Sequence, residues 1–243
     1  MQCGRFTLSF ERPLVMGILN VTPDSFSDGG CFLTRDDALA RAERMLADGA
    51  DMIDIGGEST RPGAPPVPLD EELARVVPIV EALRGMNVPL SVDTYKPAVM
   101  RAVLDASADM INDIWGLRQD GALDAVRSSN CGLCVMHMLG EPRTMQAGEP
   151  VYEDVVADVR TFFAERIDAI ERAGIEKERV CLDPGYGFSK TIEHNYVLLA
   201  HLTGTLPAGG HYALLAGMSR KSMLGAVTGR SAGERVAASV AAA

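Results

Sequence analysis

No stretch of this 243-residue sequence is long and apolar enough to span a bilayer. Runs such as 213–217 fall far short of the roughly 18 apolar residues that a membrane helix needs. The start of the chain shows no basic stretch followed by an apolar one, so a secretory leader is not expected. Positive charge is scarce. The 23 Lys and Arg stand against 33 Asp and Glu, a net charge of -10, which argues against a surface built to neutralise nucleic-acid phosphates or an anionic membrane. An anionic small substrate would then need Arg and Lys concentrated in one place. Disulfide staples are not expected either. The five cysteines (Cys3, Cys31, Cys131, Cys134, Cys181) are an odd number in a chain too large to need them, which predicts reduced thiols in a cytoplasmic protein. Histidine is sparse, and His194, His201 and His211 have no metal-ligand spacing. No Pro- or Ser-rich linker and no shift of composition divides the chain, so residues 1–243 read as a single domain.

What is present is an alternation. Short runs rich in Val, Ile and Leu at 15–20, 52–57, 89–93, 110–114, 133–138, 180–183 and 214–218 predict seven strands. Stretches of helical period lie between them at 34–48, 70–83, 97–106, 121–128, 152–173 and 193–202, with a last one from about 232. Strands alternating with helical crossovers predict a parallel sheet in an α/β protein. Thr34, ahead of Asp36 and Asp37, is a helix N-cap candidate, and Gly49 and Gly174 stand where a left-handed residue closes a helix. Residues 1–10 suit a small strand pair under a barrel. The segment 56–68, dense in Gly and Pro and too long for a simple connector, is a candidate functional loop.

Polar residues recur where these runs end: Asn20, Glu58 to Arg61, Asp93, Asn112, Asp183, and Ser219 to Lys221. One alone, such as Asp93, reads as a turn residue. Six together locate a site, because parallel strands place all their C-terminal ends on one face, in a closed barrel and in an open doubly wound sheet alike. Two carboxylates and an amide there suit a ligand edge offering several N–H donors, such as a 2-amino-4-oxo heterocycle. Arg61, Arg220 and Lys221 supply local positive charge for an anionic group. Lys96, just ahead of Pro97, reads as a solvated residue at a helix start. Cys131 and Cys134, three apart on a strand, point to opposite faces and have no second ligand pair, so they read as structural. His137, between Met136 and Met138, faces away from both and reads as a packed polar residue. Trp115 and Tyr186 read as caps on strand ends.

Two long motifs, Met16-Gly-Ile-Leu-Asn-Val-Thr-Pro-Asp-Ser-Phe-Ser-Asp-Gly-Gly30 and Gly56-Gly-Glu-Ser-Thr-Arg-Pro-Gly63, closely resemble the loops of the dihydropteroate synthase family, the folate-pathway enzymes that sulfonamides inhibit. Ser91-Val-Asp-Thr94, Ile111-Asn-Asp113, Val135-Met-His-Met138, Asp183-Pro-Gly-Tyr-Gly-Phe188 and Ser219-Arg-Lys-Ser222 match the remaining strand-end motifs in order. The resemblance implies a (β/α)8 TIM barrel that joins 4-aminobenzoate to 6-hydroxymethyl-7,8-dihydropterin diphosphate, releasing diphosphate with help from Mg2+. By position it implies that Asp93, Asn112, Asp183 and Lys221 bind the pterin, with Met136 and Phe188 lining the pocket. Thr60, Arg61 and Pro62 fall on the loop over the aminobenzoate and diphosphate, and Phe26, Ser219 and Lys221 flank the aminobenzoate. Asn20 matches the magnesium and diphosphate position, and Asp28 is a candidate for organising the metal and closing the site. Asp28, Arg61 and Lys221 are thus the candidate catalytic residues.

In the family pattern an eighth strand follows the last helix and carries an Arg-x-His motif at the diphosphate site; this sequence stops before it. The expectation is therefore a barrel lacking its eighth β/α unit, a C-terminally truncated chain that binds the pterin better than diphosphate. Two other functions share the Asp, Asn and Asp pocket: a pterin-binding methyltransferase domain and a non-catalytic pterin-binding remnant. The 20–30 loop and Ser219 to Ser222 favour the synthase. The resemblance also suggests a homodimer.

Overall fold

The computed structural model describes residues 1–21, 35–59, 65–140 and 150–243. A short antiparallel hairpin, β1 (Gln2–Cys3) and β2 (Phe6–Thr7), opens the chain. Seven parallel strands follow: β3 (Met16–Asn20), β4 (Met52–Gly56), β5 (Leu90–Asp93), β6 (Met110–Asp113), β7 (Gly132–Met136), β8 (Val180–Asp183) and β9 (Ala213–Leu214). They lie side by side in sequence order in one sheet. Between and after them run α1 (Arg35–Ala47), α2 (Leu69–Leu83), α3 (Pro97–Asp105), α4 (Ala122–Val126), α5 (Val155–Arg172), α6 (Ile192–Ala200), α7 (Ser222–Thr228) and α8 (Val236–Ala242). Among the described residues no helix is long and apolar enough to cross a membrane.

Strands β4 to β8 are buried almost throughout on both faces, as parallel strands with helical crossovers must be, but the two faces differ in chemistry. Ile53, Ile55, Leu90, Val92, Ile111, Leu133, Val135, Val180 and Leu182 belong to one large apolar cluster with helix residues such as Val76, Val80, Val103 and Phe163. The alternate positions face the other way. Met52, Met110, Cys134 and Cys181 pack with Cys3 into a separate sulfur-rich cluster, so the opening hairpin does sit under the sheet as expected. Above that floor the same rows continue as Asp54, Ser91, Asp93, Asn112, Met136 and Asp183.

Local signals set the helices that cover the outer face. Asp154 Oδ1 accepts the N–H groups of Val156 at 2.9 Å and Ala157 at 3.0 Å, capping α5. Val155, Val159, Phe163, Ile167 and Ile170 then form its buried stripe. Thr191 and His194 close α6 reciprocally: the Thr191 hydroxyl accepts from the His194 N–H at 3.1 Å, and His194 Nδ1 accepts from the Thr191 N–H at 3.3 Å. The Thr34 N-cap candidate lies outside the described residues.

One strand is shorter than its sequence suggests. The run 214–218 predicts five strand residues, whereas β9 is Ala213–Leu214 only. The Leu215 N–H still reaches the Leu182 carbonyl at 2.9 Å, but the chain then turns, with the Met218 N–H on the Ala216 carbonyl at 3.2 Å. Apolar character there serves packing under the turn rather than a longer ladder. Among the described residues β3 and β9 are the sheet's two edges, as the seven-strand expectation requires, and Ile18 on β3 is 55% exposed.

The floor hangs on one carboxylate. Asp109, 1% exposed, accepts from the Arg5 N–H at 3.0 Å, Arg5 Nε at 2.9 Å, Arg5 Nη2 at 2.8 Å and the Leu90 N–H at 3.0 Å. Asp109→Ala leaves the buried Leu90 donor unpaired, while the half-exposed Arg5 guanidinium keeps only the Arg84 carbonyl. We expect a loss of about 1–3 kcal/mol, the cost of the stranded buried donor, read as a lower urea midpoint with unchanged slope.

Candidate functional site

Strand register assembles the polar layer. Asn20 lies opposite Gly56, Gly56 opposite Asp93, and Asp93 opposite Asn112, while Met136 lies opposite Asp183. Asn112 Nδ2 donates to Asp54 Oδ2 at 3.2 Å. Asp54 is not among the strand-end residues because it lies in mid-strand inside an apolar run; a charged residue at an inward position of such a run was the available signal. Asp54 Oδ1 and Ser91 Oγ are buried side by side, at paired register positions of β4 and β5.

Electrostatics follow from burying several acids together. Burial raises Asp54 above the ordinary carboxylate range, with the Ser91 hydroxyl and the Asn112 amide pulling it back. Burial raises Asp93 further, reinforced by the charges of Asp54, Asp113, Glu72 and Glu58. Asp113, beside Asn112 but facing the other way, accepts the N–H groups of Trp115 at 2.7 Å and Leu117 at 2.8 Å. Burial still brings it up to about 6. It shapes the turn after β6.

Across the layer stands Asp183, 6% exposed and raised by burial, with Lys221 opposing the shift. Its Oδ1 accepts the Gly185 N–H at 2.7 Å. Gly185 has φ +72°, and a Cβ there would stand on the His137 carbonyl, so only glycine lets the loop return this closely to β7. Lys221 donates to the Tyr186 carbonyl at 2.5 Å and sits 4.9 Å from the centre of the Phe188 ring. Burial depresses its pKa, while Asp183 and Asp93 hold it up. The ammonium thus lies within the field of both carboxylates.

Met136 packs with Ile114, Met138, Tyr95, Trp115 and Phe188. His137 turns the other way onto Phe162 of α5, ring centres 4.9 Å apart, as strand alternation predicts. Burial and the charges of Lys190 and Arg118 push it down to about 2, keeping it neutral. Lys190, which no sequence motif singles out, has Nζ 3.0 Å from His137 Nδ1 and donates to the Phe188 carbonyl at 3.0 Å and the His137 carbonyl at 3.2 Å. It braces the loop that carries Phe188.

Lys96 is not solvated, contrary to the sequence expectation. Its ammonium pairs with both Glu58 and Glu72 and donates to the Val67 carbonyl at 2.9 Å. Burial opposes its charge, yet hydrogen bonds to the two carboxylates outweigh that and its pKa lies above the ordinary lysine value. Position before a proline says nothing about acids arriving from α2 and the β4 loop.

The structure therefore brings Asp93, Asn112, Asp183, Lys221, Met136 and Phe188 to one end of the sheet, with Asn20 at the register level of Asp93. Ser219 is on an exposed turn beside Arg220, a non-glycine residue at φ +55°. Phe26, Asp28, Thr60, Arg61 and Pro62 lie outside the described residues. Cys131 and Cys134 are free and buried; Cys134 is in the floor cluster and Cys131 in the outer core, so they face opposite ways.

Residues 16–243 match the model of a family described as pterin binding enzymes. The chain is 49% identical over 239 residues to the dihydropteroate synthase of Escherichia coli (strain K12), spanning 97% of this chain and 83% of that protein. Its fold is similar to that of Burkholderia cenocepacia dihydropteroate synthase complexed with 7,8-dihydropteroate, at 68% identity and a TM-score of 0.92 over 100% of this chain and 85% of the other. It is also similar to Xanthomonas albilineans dihydropteroate synthase with 4-aminobenzoic acid, at 52% identity and a TM-score of 0.89 over 97% of this chain and 84% of the other.

The buried acids give a titration test. Carbon-13 NMR of the Asp183 carboxyl should show a midpoint above that of a solvated aspartate, near 4. Lys221→Met removes a positive charge that favours the ionised form, so the midpoint should move higher still. An unmoved midpoint would place Lys221 outside the field of Asp183.

Proposed function

The chain belongs to the pterin-binding enzyme family and, within it, to the dihydropteroate synthases, and from that premise we propose how its own residues join 4-aminobenzoate to 6-hydroxymethyl-7,8-dihydropterin diphosphate. The observation that carries this reading is the inward polar layer of Asp93, Asn112 and Asp183, overlooked by Lys221. Ionised carboxylates accept and cannot donate. A pterin edge of N–H donors finds acceptors in Asp93 and Asp183, and the Asn112 amide supplies either role. Met136 and Phe188 give the ring apolar walls, fixing its plane.

The reaction breaks the bond between the pterin methylene carbon and a diphosphate oxygen and forms a bond from that carbon to the aminobenzoate nitrogen. Diphosphate leaves with the electron pair of the broken bond, and the nitrogen gives up a proton. The amine is a neutral nucleophile and needs little activation, so no Ser-His-Asp or Cys-His arrangement is required. The residues hold an electron-rich heterocycle still and offset the charge of the leaving anion. Lys221 is placed for both tasks, Arg61 is assigned to the second by the resemblance, and Asp28 is assigned to organising the metal and closing the site. Thr60, Arg61 and Pro62, with Phe26 and Ser219, would enclose the aminobenzoate and keep water from the methylene carbon.

Magnesium fits the donors present. Among the described residues no group of three or more His, Cys, Asp or Glu is placed to cage a metal. Mg2+ at phosphate sites commonly takes one or two protein oxygens and fills its shell with phosphate and water. Asn20 offers such an oxygen at the end of β3, and Gly56 leaves space beside it: a Cβ there would stand 3.2 Å from Asn20 Oδ1. When bound, the ion would neutralise charge on the departing diphosphate. The four described cysteines, all free, suit a cytoplasmic setting. A homodimer is the assembly the resemblance implies, and sedimentation equilibrium decides it.

Incubating the purified chain with both substrates and Mg2+ should yield 7,8-dihydropteroate and diphosphate, with no product when either substrate is omitted. Absence of product with pterin still bound would support a binding remnant instead. Asp183→Asn should weaken pterin binding by at least about 1.5–3 kcal/mol, the worth of one charge-assisted hydrogen bond. Calorimetry showing an unchanged affinity would remove Asp183 from the pocket.

A further inference from the structure

Lys96 occupies a position that the reaction described above leaves unused. An ammonium has three donors, and here all three are engaged: by the Glu58 carboxylate just after β4, by the Val67 carbonyl just before α2, and by the Glu72 carboxylate in the first turn of α2. The start and the end of the β4–α2 connection are therefore tied to a single nitrogen. The backbone of Lys96 is fixed in turn. Its N–H donates to Thr94 Oγ1 at 3.2 Å, and the Thr94 N–H donates to the Asn112 carbonyl at 3.0 Å. Tyr95 adds a hydroxyl donated to Glu58 Oε1 at 3.2 Å, and Arg75 of α2 donates to the Gly57 carbonyl at 2.8 Å. Lys96 thus stands three residues beyond Asp93, rooted in the strand ends that carry the pterin-binding candidates, while its side chain holds both stems of a separate loop.

Burial makes this arrangement costly to lose. The Glu72 side chain is 2% exposed, and those of Glu58 and Lys96 are 14% and 17% exposed. Surface ion pairs contribute little, but charges this enclosed are poorly solvated when a partner is removed. The network also balances charge. Asp93 feels the charges of Glu72 and Glu58 as well as those of Asp54 and Asp113, and Lys96 neutralises those two glutamates.

We propose that Lys96 is a positioning residue for the second substrate: by clamping the two stems of the β4–α2 connection to each other and to the end of β5, it sets where that connection stands relative to the bound pterin. This role rests on the reading above, in which Thr60, Arg61 and Pro62 of the connection serve the aminobenzoate and diphosphate. Lys96 touches neither substrate. Its effect falls on the amine partner, because the pterin acceptors Asp93, Asn112 and Asp183 are held by their own strands.

Steady-state kinetics with each substrate varied, beside calorimetry of 6-hydroxymethyl-7,8-dihydropterin alone, test the clamp. Lys96→Met should raise the KM for 4-aminobenzoate about tenfold or more and leave the pterin Kd within about twofold. Because that variant strands Glu72 and can fail to fold, Glu58→Gln is the second arm. It keeps the pairing of Lys96 with Glu72 and Val67 and weakens only the first stem, so it should raise the aminobenzoate KM about threefold, again with pterin binding preserved. Equal changes for both substrates, or no change in Glu58→Gln, would overturn the proposal. Arg61→Ala separates it from its premise. If Arg61→Ala leaves the aminobenzoate KM unchanged, the assignment of the connection fails. If Arg61→Ala raises that KM while Glu58→Gln and Lys96→Met do not, the clamp alone fails.

Discussion

A strand in a parallel sheet has two faces, and helical crossovers claim one of them entirely. In β4 to β8 the positions facing the helices are aliphatic, and they merge with the helices into one apolar cluster. Everything on the opposite face follows from that division. Those residues no longer have to provide the bulk of the core, so they are free to be methionine and cysteine at the bottom and aspartate, serine and asparagine above. The soft sulfur floor fills irregular space without demanding polar partners. It also fills the lower end beneath the polar layer.

Placing several acids in that interior sets its electrostatics. Each aspartate loses hydration, and each raises its neighbours. Asp93 carries the largest number of acidic neighbours, while Asp183 is relieved by Lys221. The cluster is an arrangement that costs stability in the empty protein and is compensated when a ligand with several N–H groups enters. Cations are correspondingly few and are used more than once. Lys221 serves a carboxylate, a carbonyl and an aromatic face, Lys190 gathers acceptors from two loops, and Lys96 gathers them from both ends of one. An acidic chain thus keeps its limited positive charge at the places where loops meet strands.

Legibility in the sequence differed by kind of residue. Strand ends were readable because a polar residue that closes a Val, Ile or Leu run six times over marks one shared face rather than six unrelated turns. The opposite orientations of Met136 and His137 were readable because period two is a covalent property of an extended chain. Asp54 was obscured by the apolar residues on either side of it, which satisfy the outer face and say nothing of the inner one. Lys96 was misjudged for a different reason. Its partners Glu58 and Glu72 are 38 and 24 residues away along the chain, and no local pattern reports that they converge.

The sequence by itself determined the alternation of strands and helices, the side of each strand that packs against helices, and the long motifs that mark the family. These are consequences of short-range periodicity and of residue order. Tertiary structure alone decided which polar atoms meet: Asn112 on Asp54, Lys221 on the Tyr186 carbonyl, Lys96 on both ends of one loop. It also decided that β9 stops after two residues. Register across a sheet, and the curvature that brings distant loops together, depend on how all the strands pair at once. A hydrogen bond between residues far apart in sequence is therefore a property of the folded whole and has no counterpart in any window of the chain.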